Sequence, residues 1–397
     1  MAGTLEQIGA VTAMNLRSVP ARWSSSLVAI IGVAGVTLVL VAVLSIAEGF
    51  RAALELSGSP DVAIVLRQGS TDELTSGLAQ EALSVIADSA GIRRGPQGRP
   101  LASAEVYVLV DAKVKGRDGS ANAPLRGVSA MAPLLRKNFR MLEGRMFSEG
   151  SNEVIIGDGV AQLYDGLAVG RTVRWGSNNW AIVGRFDDRR GIAESEIWGD
   201  AHVIQQVFNR GSSYQSVRVK LTSVDAFQGY KDGLSKDPRV NLRVERETVF
   251  YAEQQQVMQK IVSSIGWTLA IMMGFGAILA ALNTMYNAVA SRVREIATLR
   301  AMGFGALPVV ISVLMEALIL GSLGGLLGGL MAYLLLNGMR SSTLNFQNFS
   351  EITYAFTVTP RLVLTGIIYG LILTLIAGLM PGVRAARTPI TTGLREL

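Results

Sequence analysis

Only one histidine, His202, occurs in the 397-residue chain, and there is no cysteine. A thiolate site and a disulfide are therefore excluded, and one imidazole cannot build a metal site by itself. No Ser/His/Asp arrangement stands out. The paired acids Asp187 and Asp188 lie among Arg185, Arg189 and Arg190, and they read as a solvated charged loop suited to a partner. No G-x-x-x-x-G-K-[ST] run occurs, so the chain has no P-loop to cradle a nucleotide. The pattern that does carry chemistry is "SRVREIATLRAMGFG", Ser291–Gly305. Val293, Ile296, Leu299 and Met302 recur every three residues, while Arg292, Arg294, Glu295 and Arg300 mostly occupy other faces. That spacing predicts a short amphipathic helix. Gly303 is placed to stop it, and Pro308 fits the first turn of the next helix. The chemistry on offer is ionic: a basic helix that holds a partner, or that anchors at a membrane surface.

The elements that position this helix are read from where charge is missing. Hydrophobic residues make up 49% of the chain, charged ones 17%, and the mean hydropathy is +0.35; a soluble domain carries about a quarter charged residues. No charge lies between Arg22 and Glu48, between Lys260 and Arg292, or between Arg361 and Arg384. From Ala301 to Met339 the one charge is Glu316. Each gap exceeds the roughly 20 apolar residues that span a bilayer core. Four spans follow, at 24–47, 261–290, 308–338 and 361–382. The first could be a secretory signal peptide, but its apolar core is long and no A-x-A site ends it, so it reads as an uncleaved anchor.

Segments 1–23, 291–307 and 383–397 carry Arg17, Arg22, Arg292, Arg294, Arg300, Arg384, Arg387 and Arg395 against Glu6, Glu295 and Glu396. They hold nearly all of the net charge of +6. The positive-inside rule places them, and both termini, in the cytoplasm. The basic balance thus reports topology and makes no case for nucleic-acid binding.

Residues 48–259 then form one large domain outside, between the first and second spans, in a 1 + 3 arrangement, with a short outer loop at 339–360. The fold class is a four-span α-helical membrane protein with a large α+β extracytoplasmic domain. Strands are expected at Asp61–Gly69, Ala104–Val114, Ser216–Leu221 and Arg239–Glu245, with helices at Leu78–Ala90 and over "VDAFQGYKDGLS". These make two βαβ-like halves. The Gly-rich stretch at about 116–200 reads as an inserted β-rich subdomain, with a hairpin between Trp175 and Trp180. "AEGFRAALELSG" continues the first span outward until Gly58 and Pro60, and "ETVFYAEQQQVMQ" leads without a breaker into the second. Within the spans, Gly321, Gly325 and Gly329 lie four apart, as do Gly266, Ala270 and Gly274. Small residues at this spacing let helices approach closely, within a chain or across a dimer. Glu316 is the one ionisable residue inside a span, a functional candidate on principle, or a structural pair for an arginine of the basic helix.

The stretch "SRVREIATLRAMGFGALPVVISVLMEALILGSLGGLLGG" resembles the coupling segment of the MacB/FtsX/LolCE permease superfamily, the type VII ABC transporters, at Arg294, Glu295, Ile296, Leu299, Arg300, Ala301, Met302, Gly303 and Glu316. The tail "PGVRAARTPITTGLREL" resembles that family's end at Pro381, Ala385, Ala386, Pro389, Ile390, Leu394 and Arg395. The stretch from Leu142 to Asp188 is similar to the periplasmic core domain of MacB-like permeases. What the resemblance implies is a bacterial inner-membrane permease whose motor is a separate ATPase subunit, since only about 23 residues precede the first span and MacB carries its ATPase there. ATP and Mg would be bound by that partner and by no site in this chain. Arg292, Arg294, Glu295, Ile296, Leu299, Arg300, Met302 and Gly303 would be the ATPase-coupling residues. The permease would dimerise with itself or a related chain, and would work with a periplasmic adaptor and an outer-membrane channel. ATP-driven closure would move the outer domains, called mechanotransmission, to export a lipoprotein, peptide, lipid or antibiotic. The alternative within the family is an FtsX-like signalling device that regulates cell-wall hydrolases; an enzyme acting in the outer domain is the weakest reading.

Overall fold

The computed structural model describes residues 4–17, 23–116, 118–344 and 351–391. The chain divides into two compact units, Met1–Glu48, Ile261–Met339 and Phe356–Leu397 in one, and Gly49–Lys260 with Arg340–Ala355 in the other. Two helices open the chain, α1 (Thr4–Arg17) and α2 (Trp23–Ser57). The second ends where Gly58 and Pro60 forbid continuation.

The outer unit runs β1 (Val62–Arg67), α3 (Gln80–Asp88), β2 (Ala102–Lys113), β3 (Ser120–Val128), α4 (Ala132–Leu135), β4 (Arg140–Gly144), β5 (Glu153–Gly157), α5 (Asp158–Leu163), β6 (Thr172–Trp175), β7 (Asn178–Asp187), β8 (Ile197–Asp200), α6 (Ala201–Val207), β9 (Ser216–Lys220), α7 (Ala226–Ser235) and β10 (Leu242–Arg246). Its strands form one sheet in the order β10-β1-β9-β2-β3-β8-β5-β7-β4, with β6 on β7. β9 lies between β1 and β2 and is antiparallel to both, while β1 separates β9 from β10. The two predicted βαβ halves therefore interlock as a split βαβ unit. Helices α3 and α7 bury Ile86, Tyr230 and Leu234 against Val65 and Val219.

The stretch at 116–200, expected as an inserted subdomain, is continuous with that sheet. The long strand β2 pairs with β9 through 102–105 and with β3 through 106–113, so the same strand serves both halves. A second core of Val108, Leu125, Ile156, Trp180 and Ile197 forms beyond it. The hairpin falls where the tryptophans place it, with Gly176 at φ 61° in the turn. The indole of Trp180 donates to the Trp175 carbonyl at 3.1 Å and that of Trp175 to the Asp111 carbonyl at 3.1 Å. Both rings are strand packing.

The chain then continues through α8 (Glu247–Ala290), α9 (Val293–Ala301), α10 (Ala306–Leu336), a hairpin of β11 (Arg340–Leu344) and β12 (Glu351–Ala355), and α11 (Pro360–Arg387). α2, α8, α10 and α11 are long and apolar enough to cross a membrane. The outer loop expected at 339–360 holds this two-stranded hairpin, which belongs to the outer unit.

Glycine decides how the helical unit packs. A side chain at Gly325 would meet the Ile367 backbone at 2.9 Å, one at Gly329 the Val363 side chain at 2.7 Å, and one at Gly321 the Thr374 hydroxyl. All three face α11. The intervening Gly324 and Gly328 press instead on α2, against Val33 and the Ala34 carbonyl. Thus α10 is a helix with two glycine seams, one for each neighbour, and both are closed within the chain. On α8, Gly266 meets Val43 at 3.0 Å and Gly274 meets Tyr369, whose hydroxyl donates to the Ala270 carbonyl at 2.7 Å.

Candidate coupling site

The basic helix forms as α9, a little shorter than its apolar spacing implied. Its end is a full Schellman turn. The Gly303 N–H donates to the Arg300 carbonyl at 3.1 Å and the Phe304 N–H to the Leu299 carbonyl at 3.1 Å. This geometry requires a left-handed residue, and Gly303 supplies φ 96°. α10 starts three residues later with Pro308 in its first turn.

The structure separates the predicted coupling residues into two sets. Arg292, Ile296 and Arg300 turn inward and fix the helix. The Arg292 guanidinium donates to the Asn15 carbonyl of α1 at 2.8 Å. Arg300 donates to the Thr388 carbonyl, just past α11, at 2.8 Å. Ile296 packs on Val289, Val309, Val313 and Ala385, and Leu299 is half-buried. Arg294, Met302 and Gly303 face out, and Glu295 is exposed as well while also lining a cavity beside Arg292. α9 is thus held at both ends through backbone acceptors on α1 and just past α11, with Arg294 and Glu295 exposed at consecutive positions.

One anchor went unseen in the sequence. α1 braces the start of α10: Ser312 donates to the Val11 carbonyl at 3.4 Å, Asn15 to the Ser312 carbonyl at 3.0 Å, and the Gly305 N–H to the Gln7 side chain at 3.3 Å. The signal was present as Ile8, Val11 and Asn15 on one helix face. Between α1, α8, α9 and α10 lies a cavity of about 30 Å³, whose polar lining includes Asn15, Arg292, Glu295, Ser312 and Glu316. It has room for a water molecule. Glu316 is buried there with Arg292 in the same lining.

A second constellation, absent from the sequence reading, lies in the outer unit. Arg126 of β3 donates to Glu73 at 2.8 Å, to Glu105 at 2.9 Å and to both oxygens of Glu196 at 2.7 and 2.9 Å. Arg218 of β9 bonds Glu73 at 3.0 Å, Glu247 at 3.2 Å, and Glu105. Arg136 bonds Glu247 at 3.0 Å. All seven side chains are buried. Glu247 is the first residue of α8, and its other oxygen accepts from the Ser59 N–H at 3.2 Å, two residues past α2. The cluster therefore ties the outer ends of two membrane-length helices to three strands. Burial works against ionisation of Glu73, yet Arg126 and Arg218 hold it well below the usual carboxylate range. For Glu247 burial wins over Arg136 and Arg218, and its carboxyl is raised.

Beside this cluster the expected solvated loop is exposed at Arg189 and Arg190 but buried at Asp188. Asp188 and Glu194 are both buried. Arg189 and Arg190 take left-handed φ of 49° and 66°, a conformation that costs a non-glycine residue about 1 kcal/mol or more. The Glu194 carboxylate holds that bend, accepting from the N–H groups of Asp188 at 3.3 Å and of Arg190. Ile192 N–H donates to Ser57, the last residue of α2, at 2.6 Å. On the other side Thr353 N–H of β12 donates to Ser195 at 2.8 Å, and Arg340 of β11 pairs with Asp158 at 2.9 Å and Glu194 at 3.9 Å. Burial pushes the Asp188 carboxyl up to about 7, against the opposing pull of Arg136. Burial, with Asp187 adding to it, pushes Glu194 to about 7 as well. The burial of Asp188 was illegible because "DDRRG" reads as exposed charge throughout, whereas only its arginines are exposed.

The family model described as MacB-like periplasmic core domain matches residues 26–236, and that of the FtsX-like permease C-terminal region matches residues 267–390. The chain belongs to the MacB/FtsX-type ABC permeases. Among solved structures, the extracellular domain of the noncanonic ABC-type transporter YknZ from Gram-positive bacteria is 15% identical, with TM-score 0.36, over 46% of this chain and 99% of that one. The periplasmic region of MacB from Actinobacillus actinomycetemcomitans is 13% identical, with TM-score 0.38, over 51% of this chain and 96% of that one. No curated protein matches the chain. Within this permease the family-like motif residues Arg294 and Glu295 are the exposed pair on α9, and Arg300 is its anchor. Of the tail motif, Leu394 and Arg395 lie outside the described residues. Among the described residues no group of three or more His, Asp or Glu could hold a metal.

Proposed function

We propose that this permease couples ATP hydrolysis in a separate ATPase subunit to movement of its outer domain, driving export or envelope trafficking of a lipoprotein, peptide, lipid or antibiotic. The observation that carries the proposal is the anchoring of α9. A docking element must be held firmly by its own subunit while leaving polar groups free, and Arg292 and Arg300 do the first while Arg294 and Glu295 do the second. α8 is one uninterrupted 44-residue helix from the buried Glu247 to Ala290, three residues before α9. A hydrogen-bonded helix passes displacement along its axis far better than a flexible linker. The cytoplasm lies on the α9 side by the positive-inside rule. A second permease copy or a related chain completes the assembly, and an adaptor with an outer-membrane channel receives the cargo.

Copurification in mild detergent tests this. The wild-type chain should retain an ATPase subunit, and the R294A/E295A variant should lose it while staying inserted. Equal retention by the variant would overturn the docking role of α9. A single cysteine at the exposed Ser177 of the β6–β7 turn should react with a membrane-impermeant thiol reagent added outside. Protection in intact spheroplasts would reverse the topology. Capture of a cell-wall hydrolase with the ATPase would favour the signalling alternative over export.

A further inference from the structure

An open groove of about 600 Å³ lies between the last turns of α8 and α11. One wall is apolar. Leu379 and Met380 are 51% and 64% exposed there, on a helix that is itself a membrane-length span. The other wall is cationic, formed by Arg384 and Arg387 with Thr388 just past the helix end. The two arginines stand three residues apart and so share a helix face. Arg384 stacks over the Tyr286 ring at 5.6 Å, and among the described residues neither arginine has a carboxylate partner.

Two guanidiniums without a carboxylate partner among the described residues, one turn beyond exposed leucine and methionine, pair a cationic patch with an apolar one that water solvates poorly. The combination fits a molecule with an anionic head and aliphatic tails. The groove volume falls in the range of small-molecule sites, and basic pockets between membrane helices are where lipid headgroups are recognised. We propose that this groove binds an anionic glycerophospholipid, its phosphate between Arg384 and Arg387 and its acyl chains along Leu379, Met380 and Val383. The site adjoins the coupling helix directly, because Thr388 of the groove is the residue whose carbonyl receives Arg300. Lipid occupancy thus steadies the anchor of α9. The assignment of the groove to the inner leaflet rests on the topology proposed above; the lipid chemistry does not.

Native mass spectrometry of the full chain, released from neutral detergent after titration with phosphatidylglycerol or phosphatidylcholine, tests the site. Two arginines should favour the anionic lipid by about thirtyfold. R384Q/R387Q should abolish that preference, while R384K/R387K, which keeps the charge, should retain most of it and so report that the effect is not misfolding. A glutamine variant that binds phosphatidylglycerol like wild type would overturn the proposal. So would displacement of the lipid by millimolar inorganic phosphate, which would mark a simple anion site. Loss of the ATPase from the glutamine variant with phosphatidylglycerol binding unchanged would show a protein dock and also overturn it. Absence of any ATPase from the wild-type chain, with lipid preference intact, would sink the coupling function and leave the lipid site supported.

Discussion

At the scale of single residues the outer domain is governed by carboxylates that the fold treats in opposite ways. Glu73 and Glu196 are held low by Arg126 despite burial, so their pairing stabilises the fold above the ordinary carboxylate range and is lost as pH falls through it. Asp188 and Glu194 sit at about 7. For these two the sign reverses. Between their ordinary values and about 7 the folded chain keeps protons that the unfolded chain has released, so stability falls as pH rises through that window, by at most about 1.4 kcal/mol per pH unit for each group. The outer domain should therefore be more stable near pH 5 than at pH 8, as read by denaturant unfolding in detergent. D188N should flatten that slope and raise stability at pH 8; an unchanged slope would show that Asp188 does not hold the proton. Truncation within the ion cluster acts differently. R218A would strand buried carboxylates and should cost about 3–5 kcal/mol, seen as lost folded yield, whereas alanine at the exposed Arg294 should cost nothing measurable in stability.

Elements turn these residues into a device by fixing where they can go. α9 exists as a separate element because Gly303 closes a Schellman turn at φ 96°. G303A places a Cβ in the left-handed region at a cost of about 1 kcal/mol. It should weaken ATPase retention with little change in the melting temperature of the whole chain. α10 works through its two glycine seams. G328L would drive a side chain into the Ala34 backbone and Thr37, and overpacking of this kind costs about 1–3 kcal/mol or more. The expected result is a lowered melting temperature, and normal stability would show that α2 and α10 do not touch there. The β11–β12 hairpin does the corresponding work outside, where Thr353 and Arg340 grip the 188–195 bend.

For the whole molecule, the same few chain segments would carry both ends of the proposed coupling. α2 ends at the Ser57 hydroxyl that holds the strained bend, and α8 begins at Glu247 in the ion cluster. The far end of α8 leads into α9, and the groove proposed for lipid sits at that end. The coupling proposed above would depend on keeping helix ends tied to a sheet and to α9. E247Q should accordingly reduce transport more than it reduces ATPase retention, because it loosens the outer tie and leaves α9 intact. Equal loss of both would show that Glu247 serves general stability alone.

The four spans, the outer domain between the first and second, the strands and helices of its two βαβ halves and the basic helix before α10 were legible in the sequence, whereas the interlocking of the halves and the continuity of 116–200 with their sheet were not. Their physical basis is local: runs without charge longer than a bilayer is thick, apolar periodicity of two or about three and a half residues, and glycine or proline at the stops. The residues matching the coupling motif were legible too, but only as one undivided set. Which of them anchor and which face outward was decided by α1 and Thr388, which lie far away in the chain. The seven-residue ion cluster was invisible because its members are scattered from Glu73 to Glu247, and a lone Glu or Arg on a strand reads as solvent-facing until a neighbouring strand brings its opposite charge. The same holds for Asp188 and Glu194. Sequence records that charge is present; only tertiary contact determines whether water or another side chain satisfies it.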